Sequence, residues 1–154
     1  MKLRFSAAHA LKAPAHITLQ MPFRREESEE ISIMESLKNF ASLQSEFQII
    51  LNGFDCFAPR VLFVKVVDHK PLIILYDKFK RMLREEIGIK NESVFDFHPH
   101  MTIATRDLTE EAFRKAWPEL KSRKFEASFA VKSIFLLKHN GKNWDIFQEF
   151  PFGK

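Results

Sequence analysis

Pro14-Ala15-His16-Ile17-Thr18-Leu19 and Pro99-His100-Met101-Thr102-Ile103-Ala104 are two versions of one phrase in a single chain. In each, a proline comes shortly before a histidine and a threonine follows the histidine two positions on, with apolar residues in the alternate positions. Side chains on a strand alternate between faces, so residues i and i+2 point the same way. His16 and Thr18 therefore share one face, with Ile17 and Leu19 behind them. His100 and Thr102 do the same in front of Met101 and Ile103. One His-x-Thr strand is commonplace and is usually structural. Two of them, each opening a similar stretch of chain, suggest a repeated unit.

The surrounding residues extend the parallel. After residues 15–20, read as a short strand, Ser28, Glu29 and Glu30 open a helix whose apolar positions Ile33, Leu37, Phe40 and Ala41 have helical spacing. Residues 46–54 and 60–67 are strand-like, with Gly53 placed for a bulge and Pro59 at the start of the second run. Pro71 begins a longer helix with Leu72, Leu75, Tyr76, Phe79, Met82, Leu83 and Ile87 on its buried stripe and Gly88 as its stop. Residues 100–105 form another short strand. Thr109, with Glu110 and Glu111, caps a helix that turns Phe113, Ala116, Trp117 and Leu120 inward and that Pro118 should kink or shorten. Residues 124–139 and 143–150 complete the chain as strands joined at Asn140-Gly141. The expected fold is α+β: one domain over residues 1–154, bilobal and pseudo-twofold, with one half around 1–67 and the other around 90–154. Two antiparallel sheets would face a central cleft, with helices outside.

Composition narrows the setting. The chain has 154 residues, 45% of them hydrophobic, with seventeen Phe against one Tyr, so its aromatics are mainly packing groups. No apolar run approaches the roughly 18 residues of a membrane span. Cys56 is the only cysteine, which excludes an internal disulfide and a cysteine-built zinc site. Together these point to a cytoplasmic protein without a membrane partner. A net charge of +4 mildly favours an anionic ligand.

Four groups of the doubled phrase suit one reaction when brought together across a cleft. Opening a cyclic phosphodiester needs a base to activate water and an acid to protonate the leaving oxygen. Histidine performs either role near neutral pH. The hydroxyls of Thr18 and Thr102 can donate to the non-bridging phosphate oxygens, where charge accumulates in the transition state. This chemistry demands no metal and no cofactor.

The same residues resemble the two-histidine phosphoesterase superfamily, marked by two His-x-Thr/Ser motifs in a pseudo-twofold α+β fold, and within it the bacterial 2′-5′ RNA ligase and cyclic phosphodiesterase branch. His16-Ile17-Thr18-Leu19 with Pro22-Phe23 fits the first motif, and Phe97 to Ala104 fits the second. Phe57-Ala58-Pro59-Arg60-Val61-Leu62-Phe63-Val64 is similar to the family's middle strand. The resemblance implies a phosphoesterase acting on RNA or nucleotides bearing a 2′,3′-cyclic phosphate or a 2′-5′ linkage, with ATP-independent 2′-5′ ligation as the reverse reaction. It implies His16 and His100 as the acid–base pair and Thr18 and Thr102 as phosphate ligands. By analogy with relatives that leave a 2′-phosphate, His100 activates water and His16 protonates the leaving 3′-oxygen. No obligate protein partner is implied. Relatives carry a strand and helix before the first motif, where this sequence has fifteen residues; a first lobe without that strand would leave a sheet edge open to pairing. Many relatives also have an arginine soon after the second motif. Here Thr105 takes that position and the arginine follows as Arg106, which a continuous strand would turn to the other face.

Arg60 and Arg106, with Arg24, are candidates to line an anionic cleft, and Phe23 is a candidate to stack on a base, although a core role fits it as well. A His98/His100 metal pair would need His69 or Asp96 as a third ligand, and Pro99 disturbs it. His9, His69 and His139 read as surface or loop residues. Lys78, Lys80, Arg81 and Arg84 read as a solvated helix face. The competing reading of the whole chain is a non-catalytic RNA- or nucleotide-binding module of the same fold.

Overall fold

The structure, a computed structural model, describes residues 8–90 and 96–153. Among these residues are three α-helices and six strands: α1 (Glu30–Ser42), β1 (Phe47–Phe57), β2 (Val61–Val67), α2 (Lys70–Glu85), β3 (His100–Ala104), α3 (Glu110–Ser122), β4 (Glu126–Val131), β5 (Ser133–His139) and β6 (Trp144–Pro151). They form an α+β fold with two antiparallel sheets. The larger has the order β3-β2-β1-β4, and the smaller pairs β5 with β6.

The helices form where spacing and caps predict. A 3₁₀ turn at Glu27–Glu29 leads into α1 through a reciprocal Glu26–Glu29 capping box, and α1 buries Ile33, Leu37, Phe40 and Ala41. Helix α2 carries proline in its first turn and buries Leu72, Leu75, Phe79, Met82 and Leu83. Tyr76 lies half-buried beside this stripe, stacked on Phe97 at 3.9 Å. The Thr109 side chain accepts from the Ala112 N–H and caps α3, which buries Phe113, Ala116 and Leu120. Pro118 does not shorten α3, which continues to Ser122. Pro118 deprives the Arg114 carbonyl of its helical donor, but both residues lie on the exposed side where water can serve instead.

Register decides which sheet face is covered. Leu62, Val64 and Val66 of β2, Ile49 and Leu51 of β1 and Ala104 of β3 are buried. All three helices pack on this side, together with Ile134 of β5 and Phe150 of β6. The opposite face is open: Gln48, Ile50, Asn52, Lys65 and Ser128 are exposed along it. In β1 the register shifts between Leu51 and Phe54 around Gly53, which sits at φ +68, so the expected bulge is present.

Two strand expectations need correction. Residues 124–139 are not one strand: β4 pairs with β1 and β5 with β6, and the chain changes sheets at Lys132, whose carbonyl accepts from Phe152 N. No glycine or proline marks that step in the sequence. Residues 15–20 form no strand at all. A strand exists only where a neighbour completes its ladder. Among the described residues the small sheet ends at β5 and β6, leaving this segment unpaired. Its alternation survives as packing, with Ile17 and Leu19 against the main core and His16 exposed. Among the described residues, segment 15–20 thus lacks the strand that its counterpart His100–Ala104 forms.

Candidate active site

His100 opens β3 on the open sheet face. It lies opposite Lys65 in register, and Thr102 lies opposite Phe63. The alternating Met101 and Ile103 pack into the core behind. A bulge between Leu62 and Phe63 in this ladder lets Thr102 stay with His100 while Ala104 turns into the interior. The His100 ring is wedged between aromatics. Its centroid is 5.1 Å from Phe57, edge-on, and 4.9 Å from Phe63. His98 also leans on both rings, at 5.4 and 5.8 Å. This cover explains why Phe63, on the otherwise open face, is only 1% exposed.

The two motif histidines are held alike. His16 Nδ1 is 2.6 Å from the Pro14 carbonyl oxygen, and His100 Nδ1 is 2.7 Å from that of His98. A carbonyl only accepts, so in each ring Nδ1 carries the proton. The imidazoles are thus fixed as the tautomer whose Nε2 is available for proton exchange. Burial lowers the pKa of His100, and the nearby charges of His98 and His16 lower it further, against the opposing effect of the His98 carbonyl. His16 is therefore within electrostatic reach of His100. A neutral His100 with a free Nε2 is chemically a base. Thr18 and Thr102 are both half-buried.

The remaining candidates fall in three places. Phe23 packs half-buried against the main core. Arg60 and Arg106 line a common cavity of about 220 Å³ with Pro59, Asp107, Thr109 and Glu110, beyond the far end of β3 from His100. Arg106 does not lie on the opposite strand face, because β3 ends at Ala104 and Arg106 adopts φ +47, turning the chain toward α3. Arg24 is exposed, as are Lys78, Lys80, Arg81 and Arg84 along α2. His69 Nδ1 contacts the Val66 carbonyl at 3.2 Å. Among the described residues, no group of three or more His, Cys, Asp or Glu is placed to hold a metal ion. Sequence reading singled out neither Phe57 as a contact of His100 nor Lys65 as its cross-strand neighbour. Phe57 fell within the quoted middle segment, but only the β1–β2 register reveals that its ring reaches back to the histidine.

Paired histidines and threonines on an α+β frame with two antiparallel sheets define the class of two-histidine phosphoesterases. Residues 2–143 match the family described as the 2′-5′ RNA ligase superfamily, and the chain belongs to it. It is thereby an enzyme of the phosphoesterase type. Its curated relatives include BH1439 of Halalkalibacterium halodurans, named provisionally as a phosphoesterase, 27% identical over 99% of this chain and 87% of that protein. A second, from Bacillus pumilus and named in the same way, is 26% identical over 98% of this chain and 86% of its own. Among solved structures, LigT of E. coli complexed with 3′-AMP shares the fold at a TM-score of 0.67 and 17% identity, covering 92% of this chain and 78% of that one. TT0787 of Thermus thermophilus does so at a TM-score of 0.61 and 21% identity, covering 90% and 78%. No helix among the described residues is long and apolar enough to cross a membrane.

Proposed function

We propose that this protein hydrolyses RNA-type 2′,3′-cyclic phosphates or 2′-5′ phosphodiesters by acid–base catalysis between His16 and His100. The observation that carries the reading is the shared setting of the two imidazoles, each locked through Nδ1 to a carbonyl two residues upstream. Nε2 of His100, kept neutral by its burial, takes a proton from water as the water oxygen bonds to phosphorus. Nε2 of His16, protonated, gives its proton to the 3′-oxygen as the P–O3′ bond breaks. The product is a 2′-phosphate with a free 3′-hydroxyl. Thr18 and Thr102 donate to the non-bridging oxygens as their charge builds. Run in the same direction with a 5′-hydroxyl in place of water, the P–O3′ bond breaks as the 5′-oxygen bonds to phosphorus, which gives a 2′-5′ linkage and a free 3′-hydroxyl without ATP.

The test is incubation with each of the four nucleoside 2′,3′-cyclic phosphates in excess EDTA, with products identified by phosphorus NMR. A 2′-phosphate that disappears with His100→Ala supports the reading. Full turnover in both His16→Ala and His100→Ala overturns it. Saturable nucleotide binding without any product would instead make the domain a binding module.

A further inference from the structure

Asn-Gly occurs twice in the chain, at 52–53 and 140–141, and the fold treats the two copies in opposite ways. An asparagine before glycine is open to self-modification. The glycine's backbone nitrogen attacks the side-chain carbonyl carbon, and no Cβ obstructs the ring that closes. The attacking N–H must lose its proton, and the carbonyl oxygen takes on charge as the bond forms. The partners of these two groups therefore set the rate.

In the sheet copy the partners are inert. The Gly53 N–H donates to the Phe125 carbonyl at 2.8 Å, and a carbonyl oxygen is no base for an amide proton. Asn52 lies in β1 opposite Glu126 of β4, and its Nδ2 donates to the Glu126 carboxylate at 3.4 Å.

In the hairpin copy each group meets a partner suited to the reaction. The Gly141 N–H donates to His139 Nδ1 at 3.3 Å, so that ring nitrogen carries a lone pair and is free to act as a base. Asn140 Oδ1 accepts from the backbone N–H groups of Lys142 and Asn143 at 2.9 and 2.8 Å, an arrangement of donors that stabilises a developing oxyanion. Asn140 Nδ2 donates to Asp145 Oδ2 at 2.7 Å, which fixes the amide in this orientation. Residues 139–142 are exposed. Gly141 sits at φ +95, and a Cβ built there would meet nothing within 4 Å, so the turn has room to close a ring.

We infer that Asn140 is a self-modification site, converted by its own hairpin to isoaspartate or aspartate. The Gly141 nitrogen gives its proton to His139 Nδ1 and bonds to Asn140 Cγ. The Cγ–Nδ2 bond then breaks, and the amide nitrogen leaves as ammonia with a proton from solvent, to which His139 returns its own. Water opens the resulting succinimide at either carbonyl and leaves a carboxylate. That carboxylate faces Asp145, which previously accepted the amide's hydrogen bond. The isoaspartyl product also lengthens the backbone where Asn140 N–H bonds the Asn143 carbonyl at 3.0 Å, so the closed end of the β5–β6 hairpin loosens.

The experiment incubates the full chain in mildly alkaline buffer, native and urea-unfolded, and follows both Asn-Gly sites by peptide mapping with mass spectrometry. Labelling by isoaspartyl methyltransferase identifies the isoaspartate. In urea the two sites should react at similar rates. In the native protein Asn52 should stay intact, and Asn140 should react about tenfold or more faster than in urea, since a base held at 3.3 Å falls short of the roughly 10²-fold of a well-placed one. His139→Gln, shown to be folded by its melting curve, should remove most of this acceleration and leave the rates in urea unchanged. The comparison of native with unfolded wild type needs no variant: a native Asn140 that reacts no faster than in urea overturns the inference. A native Asn52 as reactive as Asn140, or an acceleration that survives in folded His139→Gln, overturns it as well.

Discussion

His16 and His100 are held by the same hydrogen bond, Nδ1 to the carbonyl oxygen two residues upstream, at 2.6 and 2.7 Å. The match is local, because one histidine opens a strand and the other lies in an unpaired segment. A short turn of backbone before each histidine is enough to fix its tautomer, whatever the wider secondary structure does.

The first prediction concerns these rings. Replacing either histidine with alanine should lower kcat/KM by about 10²–10⁴-fold. The double replacement should fall well short of the product of the single losses, since acid and base serve one transition state. His16 is exposed, so His16→Ala should leave the melting temperature nearly unchanged. Steady-state kinetics beside circular-dichroism melting separates the effects.

The pH dependence follows from His100. As the proposed base it must be neutral, and its pKa lies below the ordinary 6.5 because burial disfavours the imidazolium and the charges of His98 and His16 add to that effect. As pH falls, kcat/KM should therefore hold through 6.5 and decline only at more acidic values. Removing one repulsive neighbour in His98→Asn should move this acid limb upward. A limb that stays in place in His98→Asn argues against His100 as the titrating base.

The threonines should act on kcat more than on KM if they meet charge that develops during reaction. Thr102→Val keeps the shape and removes the donor, and by comparison with a lost oxyanion donor it should cost up to about 10²–10³-fold in kcat. Thr102→Ser should recover most of the loss. A rise confined to KM would make Thr102 a ground-state binding group.

The helices and the family were the legible parts of the sequence. Ile33, Leu37, Phe40 and Ala41 have helical spacing and are the residues α1 buries; the Thr109 cap and the Gly53 bulge are equally local signals. What the sequence hid depends on partners distant along the chain. Alternation in Ile17 and Leu19 suggests a strand, but alternation records which side is buried and is silent about whether a ladder neighbour exists. The break at Lys132 carries no glycine or proline, since it is imposed by two sheets competing for one stretch of chain. Arg106 is misplaced by one step only if β3 continues; the strand's end at Ala104 and the left-handed backbone at Arg106 itself bring it beside Arg60.

Stability should be most sensitive where the site and the interior share a residue. Phe63 is 1% exposed although it lies on the open sheet face, because Phe57, His98 and His100 close over it. Phe63→Ala removes a large ring from that stack and should cost about 3–5 kcal/mol. Phe63→Leu keeps most of the volume and should cost far less in unfolding free energy. It nevertheless withdraws the flat surface that holds the His100 ring, so its kcat should fall more than its stability does. Chemical denaturation and kinetics on the two variants test this together. A Phe63→Leu enzyme with wild-type kcat would mean that the Nδ1 bond to the His98 carbonyl orients His100 without help from the aromatic wedge.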